Sequence, residues 1–269
     1  MEDLIKRAGR MILDGKAAVH DKEGMANFVT DRDVEIQRFL ISELSSRFTG
    51  CTFFGEEDTE GNEHRTSGHC FFIDPIDGTT NYIFGYNHSC VSVGESLDGK
   101  MVAGYVYNPF TDDYYCAHRG QGAWLNGRQL KLVNRGLSEG ITAFGCARYN
   151  TQDTDAIFDI SKQLYLRSLS LRNGGSAALD LCRVASGANV LYLELMLQPY
   201  DYAAASVIIE EAGGVISQVD GSPITFNAGC SVLAGTPKAV TEAKEIISNY
   251  YRGKNELESK ERLINRRQF

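Results

Sequence analysis

The stretch "FFIDPIDGTTNY", residues 71–82, runs apolar residues straight into two carboxylates, Asp74 and Asp77, with Pro75 between them. Two carboxylates three residues apart at the end of an inward-leading run repel each other, and desolvation adds to the cost. A cation among them would remove both problems. Acids recur in the same setting elsewhere: Glu56 and Glu57 follow "CTFF" and a glycine, and Asp201 follows "LELMLQPY". Hard cations such as Mg²⁺ take oxygen ligands of this kind, and no histidine or cysteine cluster competes for a softer metal. Directly after Asp77 come Gly78, Thr79 and Thr80, small residues suited to a helix N-terminus, where backbone N–H groups bind phosphate oxygens. Carboxylates followed by an anion cradle within six residues are the plan of a metal-dependent phosphate site.

Each of these residues also has a plainer reading. Asp201 taken alone fits a helix N-cap, worth about 1 kcal/mol. Glu57, Asp58 and Glu60 fit a solvated acidic loop, and His88, with no motif around it, a structural or surface group.

The elements that must position these groups follow from periodicity. Residues 2–19 and 32–47 carry apolar residues at helical spacing. "HCFFID" reads as a buried strand, and 88–126 as an antiparallel meander of about four strands punctuated by "DGK" and "NG". The second half alternates: strands at "ITAFGC", "YLRSLSL", "ANVLYLEL" and "SVLAG", helices at 154–164, 176–186, 201–212 and 238–250. The expected organisation is an N-terminal half, 1–136, a C-terminal α/β half, 137–250, and a charged tail, 251–269, as frayed helix or coil.

Composition narrows the function. With 269 residues, 43% hydrophobic and 23% charged, the chain reads as globular, without the apolar run of about eighteen residues that a membrane span needs. A net charge of −8 makes nucleic acid a poor partner. Seven cysteines scattered singly suggest reduced thiols in a cytoplasmic protein, mostly as small buried hydrophobes.

In these motifs the chain resembles the inositol monophosphatase family of Mg²⁺-dependent, lithium-sensitive phosphatases. "FIDPIDGTTNY" is similar to the family's W-[IV]-[IV]-D-P-[IL]-D-G-T-[ST]-N-[FY] signature, with Phe72 where tryptophan is common. "FGEED", "NFVTDRD", "NGGSAALDLCRVASG" and "PYDYAAASVIIEEAGG" are similar to its other elements, in the family's order, with Tyr200 replacing a tryptophan. The resemblance implies an alternating α-β-α-β-α sandwich of the inositol monophosphatase / fructose-1,6-bisphosphatase type and a homodimer. It implies two or three Mg²⁺ ions: one on Glu56, Asp74 and the Ile76 carbonyl, a second on Asp74, Asp77 and Asp201, and a weaker third near Glu56. Glu56 and Thr79 would orient the attacking water, with Asp33 hydrogen-bonded to the Thr79 hydroxyl. Gly78 and Thr79 would hold phosphate through their amides, while Glu194, Gly175, Ser176 and Ala177 contact substrate; Lys22 matches a basic position near the active-site loop. The substrate it implies is a small phosphorylated polyol, first of all inositol monophosphate. Histidinol phosphate, fructose 1,6-bisphosphate, NADP and phosphoadenosine phosphate share the metal motifs, with a contact from Lys22 or Arg172 favouring a second anionic group. A regulatory binding protein on the same fold is the rival from another class.

Overall fold

A computed structural model of the chain describes residues 1–15, 18–22, 28–57, 67–146 and 152–265, with Asp21 and residues 255–265 described in their backbone alone. The first helix, α1 (Glu2–Leu13), buries Leu4, Ile5, Ala8 and Ile12, and a short hairpin of β1 (Val19–Asp21) and β2 (Phe28–Thr30) follows. The periodicity had extended this helix to residue 19. It stops at Leu13 because Gly15 turns the chain at φ 81° and Val19 then pairs with Thr30. Thr30 caps α2 (Asp31–Arg47), which leads to β3 (Thr52–Gly55) and β4 (His69–Asp77). A single turn, α3 (Thr79–Ile83), opens the meander β5 (Cys90–Leu97), β6 (Lys100–Asn108), β7 (Asp113–His118), β8 (Gly122–Leu125) and β9 (Arg128–Leu130). Among the described residues, β3 to β9 form one sheet in chain order, antiparallel except for the parallel β3–β4 pair.

The second half holds β10 (Ile141–Phe144), α4 (Thr154–Tyr165), β11 (Ser170–Arg172), α5 (Ala177–Ala185), β12 (Asn189–Leu197) and α6 (Pro199–Glu211). It closes with β13 (Val215–Ser217), β14 (Cys230–Gly235) and α7 (Pro237–Asn265). The second sheet runs β11-β10-β12-β14-β13, parallel from β11 to β12 and antiparallel from β12 onward. "YLRSLSL" forms a strand only from Ser170, since α4 continues through Tyr165.

Alternation along the strands sorts side chains into layers. Phe71, Ile73, Val91, Val93 and Tyr105 pack against α1 and α2, whereas Phe72, Cys90 and Val106 face α5 and α6. On β12, Leu191, Leu193 and Leu195 join the core with α4 and α7, which leaves Tyr192 on the opposite face with α5 and α6. The order is helices, sheet, helices, sheet, helices: the α-β-α-β-α sandwich. The strands of the two sheets lie on either side of residue 136, but α6 from the second half packs across β5 and β6 of the first.

Glycines make that crossing possible. A Cβ at Gly104 would lie 2.0 Å from the Ala204 carbonyl oxygen, and one at Gly94 would lie 2.9 Å from the Ala203 Cβ. Two bare strand positions facing "AAAS" let the helix backbone rest on the sheet and set where its N-terminus points.

Candidate metal and phosphate site

Three carboxylates converge where β4 meets the N-termini of α5 and α6. One oxygen from each of Asp74, Asp77 and Asp201 lies within 4.8 Å of the other two. β4 runs on through Pro75 to Asp77, with a register irregularity against β5 between Asp74 and Asp77. Asp77 is held by the start of α5: Ser176 donates its hydroxyl, Ala178 its N–H at 2.9 Å and Ala177 its N–H at 3.2 Å. Asp201 lies at the third position of α6, where it accepts the Gln198 N–H at 2.7 Å in a capping box. Capping and cluster membership, alternatives in the sequence, therefore coexist in Asp201.

Burial raises the pKa of every member. For Asp74 it acts together with the nearby Glu56, Asp77 and Asp201 charges and lifts the group well above the usual carboxylate range. Asp201 is lifted similarly by burial, then by Asp77 and Glu56. Asp77 is raised by burial and held down in part by Ser176, Ala178, Ala177 and Cys90. Burial also raises Glu56, against the lowering effect of Lys22. Burial and mutual repulsion both oppose ionising these groups together, an opposition that a cation would relieve, and Asp74 Oδ1 is buried with no hydrogen-bond partner. An all-oxygen donor set with an orphaned oxygen at its centre fits a hard divalent ion.

Around the cluster is a cavity of about 390 Å³. Of the residues expected at the site, Glu56, Asp74, Ile76, Asp77, Gly78, Thr79, Gly175, Ser176, Ala177, Glu194 and Asp201 all line it. Asp33 does not; it lies fully buried behind Thr79, accepting the Thr79 hydroxyl at 3.4 Å and the Thr30 N–H at 2.7 Å. The Thr79 hydroxyl also lies 3.1 Å from the Ile76 carbonyl oxygen. Gly78 holds φ 88° at the start of α3, hemmed in by the Gly175 and His88 carbonyls, so any side chain there would strain the turn. Ser176 and Ala177, expected toward substrate, also spend donors on Asp77.

Of the neighbouring residues, Tyr192, Gly145 and Asp180 were not singled out in the sequence. The Tyr192 hydroxyl donates to Glu194 Oε2 at 2.5 Å, a pairing that period two on β12 could have revealed. Gly145 gives these two side chains room, since a Cβ there would meet Glu194 Oε2 at 2.0 Å. Asn81 donates to the His88 and Gly174 carbonyls, both at 2.8 Å, and Asp180 accepts the Gly174 N–H at 3.0 Å, so the loop before α5 is clamped from both halves. Only the folded chain brings Asp180 to the cavity wall.

Glu57 is not a solvated acid: its side chain is 6% exposed and bonded to Lys22 Nζ at 2.8 Å, with Lys22 also 3.3 Å from Glu56. Asp58 and Glu60 lie outside the described residues. His88 is partly buried, its pKa lowered to about 4 by burial and by Arg183, and it does not line the cavity. Arg172 is exposed and bonded to its own strand, at the Leu171 carbonyl and the Ser170 hydroxyl.

Comparison with known proteins agrees with this geometry. Residues 2–254 match the model of the inositol monophosphatase family. Inositol monophosphatase 3 of Solanum lycopersicum is 35% identical over 232 residues, 83% of this chain and 86% of that one. The crystal structure of the extragenic suppressor protein suhB from Bartonella henselae superposes with a TM-score of 0.84 at 29% identity, covering 92% of this chain and 96% of that one. SaIMPase-II, solved with inositol monophosphate bound, gives a TM-score of 0.80 at 27% identity over 97% and 96% of the two chains. With fold, motif order and carboxylate cluster in agreement over nearly its whole length, the chain belongs to the inositol monophosphatase family.

Proposed function

We propose that this phosphatase hydrolyses the monophosphate ester of a small polyol with Mg²⁺, and that inositol monophosphate is its leading substrate. One observation carries the reading: three buried carboxylates, one with an orphaned oxygen, meet beside the Gly78–Thr80 turn in a cavity whose lining, among the described residues, includes no Lys, Arg or His. A phosphate dianion enters such a cavity only in company with cations. Asp74, Asp77, Asp201, Glu56 and the Ile76 carbonyl would hold the two or three ions. When bound, the ions supply hydroxide near neutral pH and neutralise the charge on the phosphoryl group.

The chain's own groups do the placing. The Thr79 hydroxyl, fixed between the Ile76 carbonyl and Asp33, orients the attacking water together with Glu56. The N–H groups of Gly78 and Thr79, in the first turn of α3, hold phosphate oxygens. Glu194, braced by Tyr192, accepts hydrogen bonds from polyol hydroxyls, and the wall at Gly175, Ser176 and Ala177 limits how the ring can lie. That SaIMPase-II binds inositol monophosphate on the same fold supports the substrate. A cytoplasmic homodimer completes the proposal, on the family resemblance; light scattering at twice the 29.7 kDa chain mass tests the dimer.

The test is phosphate release from inositol-1-phosphate, histidinol phosphate, fructose 1,6-bisphosphate, NADP and phosphoadenosine phosphate, each with Mg²⁺ and with EDTA. We expect turnover concentrated on inositol-1-phosphate and abolished by EDTA. Turnover that survives EDTA overturns the metal assignment, and turnover concentrated on another ester overturns the substrate.

A further inference from the structure

The side-chain amide of Asn81 spends both its hydrogens on backbone, one on the His88 carbonyl and one on the Gly174 carbonyl, each at 2.8 Å. His88 lies in the loop between α3 and β5 of the first half, and Gly174 in the loop before α5 of the second. Gly174 is held on its other side as well, because its N–H goes to Asp180 at 3.0 Å. Asn81 is fixed in turn, since its own carbonyl accepts the Tyr86 N–H at 2.8 Å. The approach is close: a Cβ at Gly175 would stand 3.1 Å from both the nitrogen and the oxygen of the Asn81 amide.

The two segments that Asn81 ties together are the ones that enclose Gly78. A Cβ there would meet the Gly175 carbonyl at 3.0 Å, the His88 carbonyl at 3.1 Å and the Ser176 Cβ at 3.2 Å. The Gly78 carbonyl accepts the Ser89 hydroxyl at 2.9 Å. Just beyond Gly174 come Ser176, Ala177 and Ala178, the donors to Asp77. Resting on the function proposed above, we propose that Asn81 is a positioning residue that sets the spacing between the Gly78–Thr80 turn and the start of α5. It thereby places the Gly78 and Thr79 N–H groups and the Asp77 carboxylate against one another. With both hydrogens engaged, its amide holds the cradle and donates nothing to the ester. Misplacement by about 1 Å at such a cradle costs on the order of 100-fold in rate.

Asn81→Ala tests this, because it removes both donors and adds no charge to the cavity. At saturating Mg²⁺ we expect kcat for inositol-1-phosphate to fall about 10–100-fold. Mg²⁺ affinity, read by calorimetric titration, should fall about tenfold. Adding Ser176→Ala should cost less than the product of the two single losses, because both act through Asp77. Asn81→Ser, which keeps one hydroxyl donor, is the second variant should the first fail to fold, with smaller losses of the same kind. A lowered urea midpoint with unaltered kcat and Mg²⁺ affinity makes the amide merely structural and overturns the proposal. A raised KM at unaltered kcat and Mg²⁺ affinity makes Asn81 a direct substrate contact and overturns it equally. Wild-type protein that binds Mg²⁺ but does not hydrolyse inositol-1-phosphate overturns the functional reading instead, and Mg²⁺ affinity across the same variants then decides the positioning role.

Discussion

Asp77 accepts hydrogen bonds from Ser176, Ala177 and Ala178, yet its pKa is still raised, because burial outweighs those donors. The same contacts fix the direction of its carboxylate, as groups behind a metal ligand generally do. Ser176→Ala should therefore leave the fold in place and weaken Mg²⁺ binding by about 10–100-fold, with a parallel loss in kcat/KM. Calorimetric titration with Mg²⁺ checks this; unchanged affinity would mean that the Ser176 contact is incidental. Asp201→Asn separates two roles in one side chain. The amide oxygen can still accept the Gln198 N–H, so stability should fall by no more than about 1 kcal/mol while Mg²⁺-dependent turnover is lost. Urea denaturation beside the phosphate-release assay distinguishes this from a purely structural role, in which activity would survive.

Among the elements, α6 has the least freedom. Its backbone lies against Gly94 and Gly104, and its first turn carries Asp201. Gly104→Ala would drive a methyl group into the Ala204 carbonyl, so the helix must lift from the sheet. We expect a loss of about 1–3 kcal/mol in stability and weakened Mg²⁺ binding at a residue remote from the metal. A lowered urea midpoint with unaltered Mg²⁺ affinity would show that α6 does not transmit the shift. Such close approach explains what the sequence could and could not reveal. Alternation in 88–126 made the meander legible, and Asp-Pro-Ile-Asp-Gly-Thr-Thr marked the site by its own chemistry. Val215–Ser217 is too short for a period to emerge, and the stop of α1 at Leu13 depends on pairing between Val19 and Thr30. Asp180 and Tyr192 join the cavity only through the stacking of α5 on β12, which local periodicity does not encode.

Taken as one molecule, the fold points several helix N-termini at a single acidic cavity. Asp77 meets the start of α5 and Asp201 the first turn of α6, while Asp33 caps α2 behind Thr79, so partial positive charge from a helix end meets each of these three carboxylates. That charge is too small to restore ordinary pKa values, since Asp74, Asp77, Asp201 and Glu56 all remain raised. Glu57 is raised to about 7, first by burial and then by Glu56. An acid whose folded pKa exceeds its unfolded one binds more protons when folded, so its stabilising contribution is lost as pH rises through the folded value. His88 works the other way: its pKa is lowered from 6.5 to about 4, so its contribution is gained as pH rises and is complete above about 6.5. Between pH 6.5 and 8 Glu57, with its folded value about 7, should outweigh His88 in setting the slope. Metal-free protein in EDTA should therefore lose thermal stability across that window, by about 2–4 °C in Tm for each kcal/mol. Mg²⁺ binds the ionised cluster and should flatten or reverse the trend by stabilising the folded state in proportion to its occupancy. Calorimetric scans at pH 6.5, 7.2 and 8, with EDTA and with Mg²⁺, read both slopes. A Tm that rises with pH in EDTA, or equal slopes in the two series, would mean that the cluster is not held together by the cation.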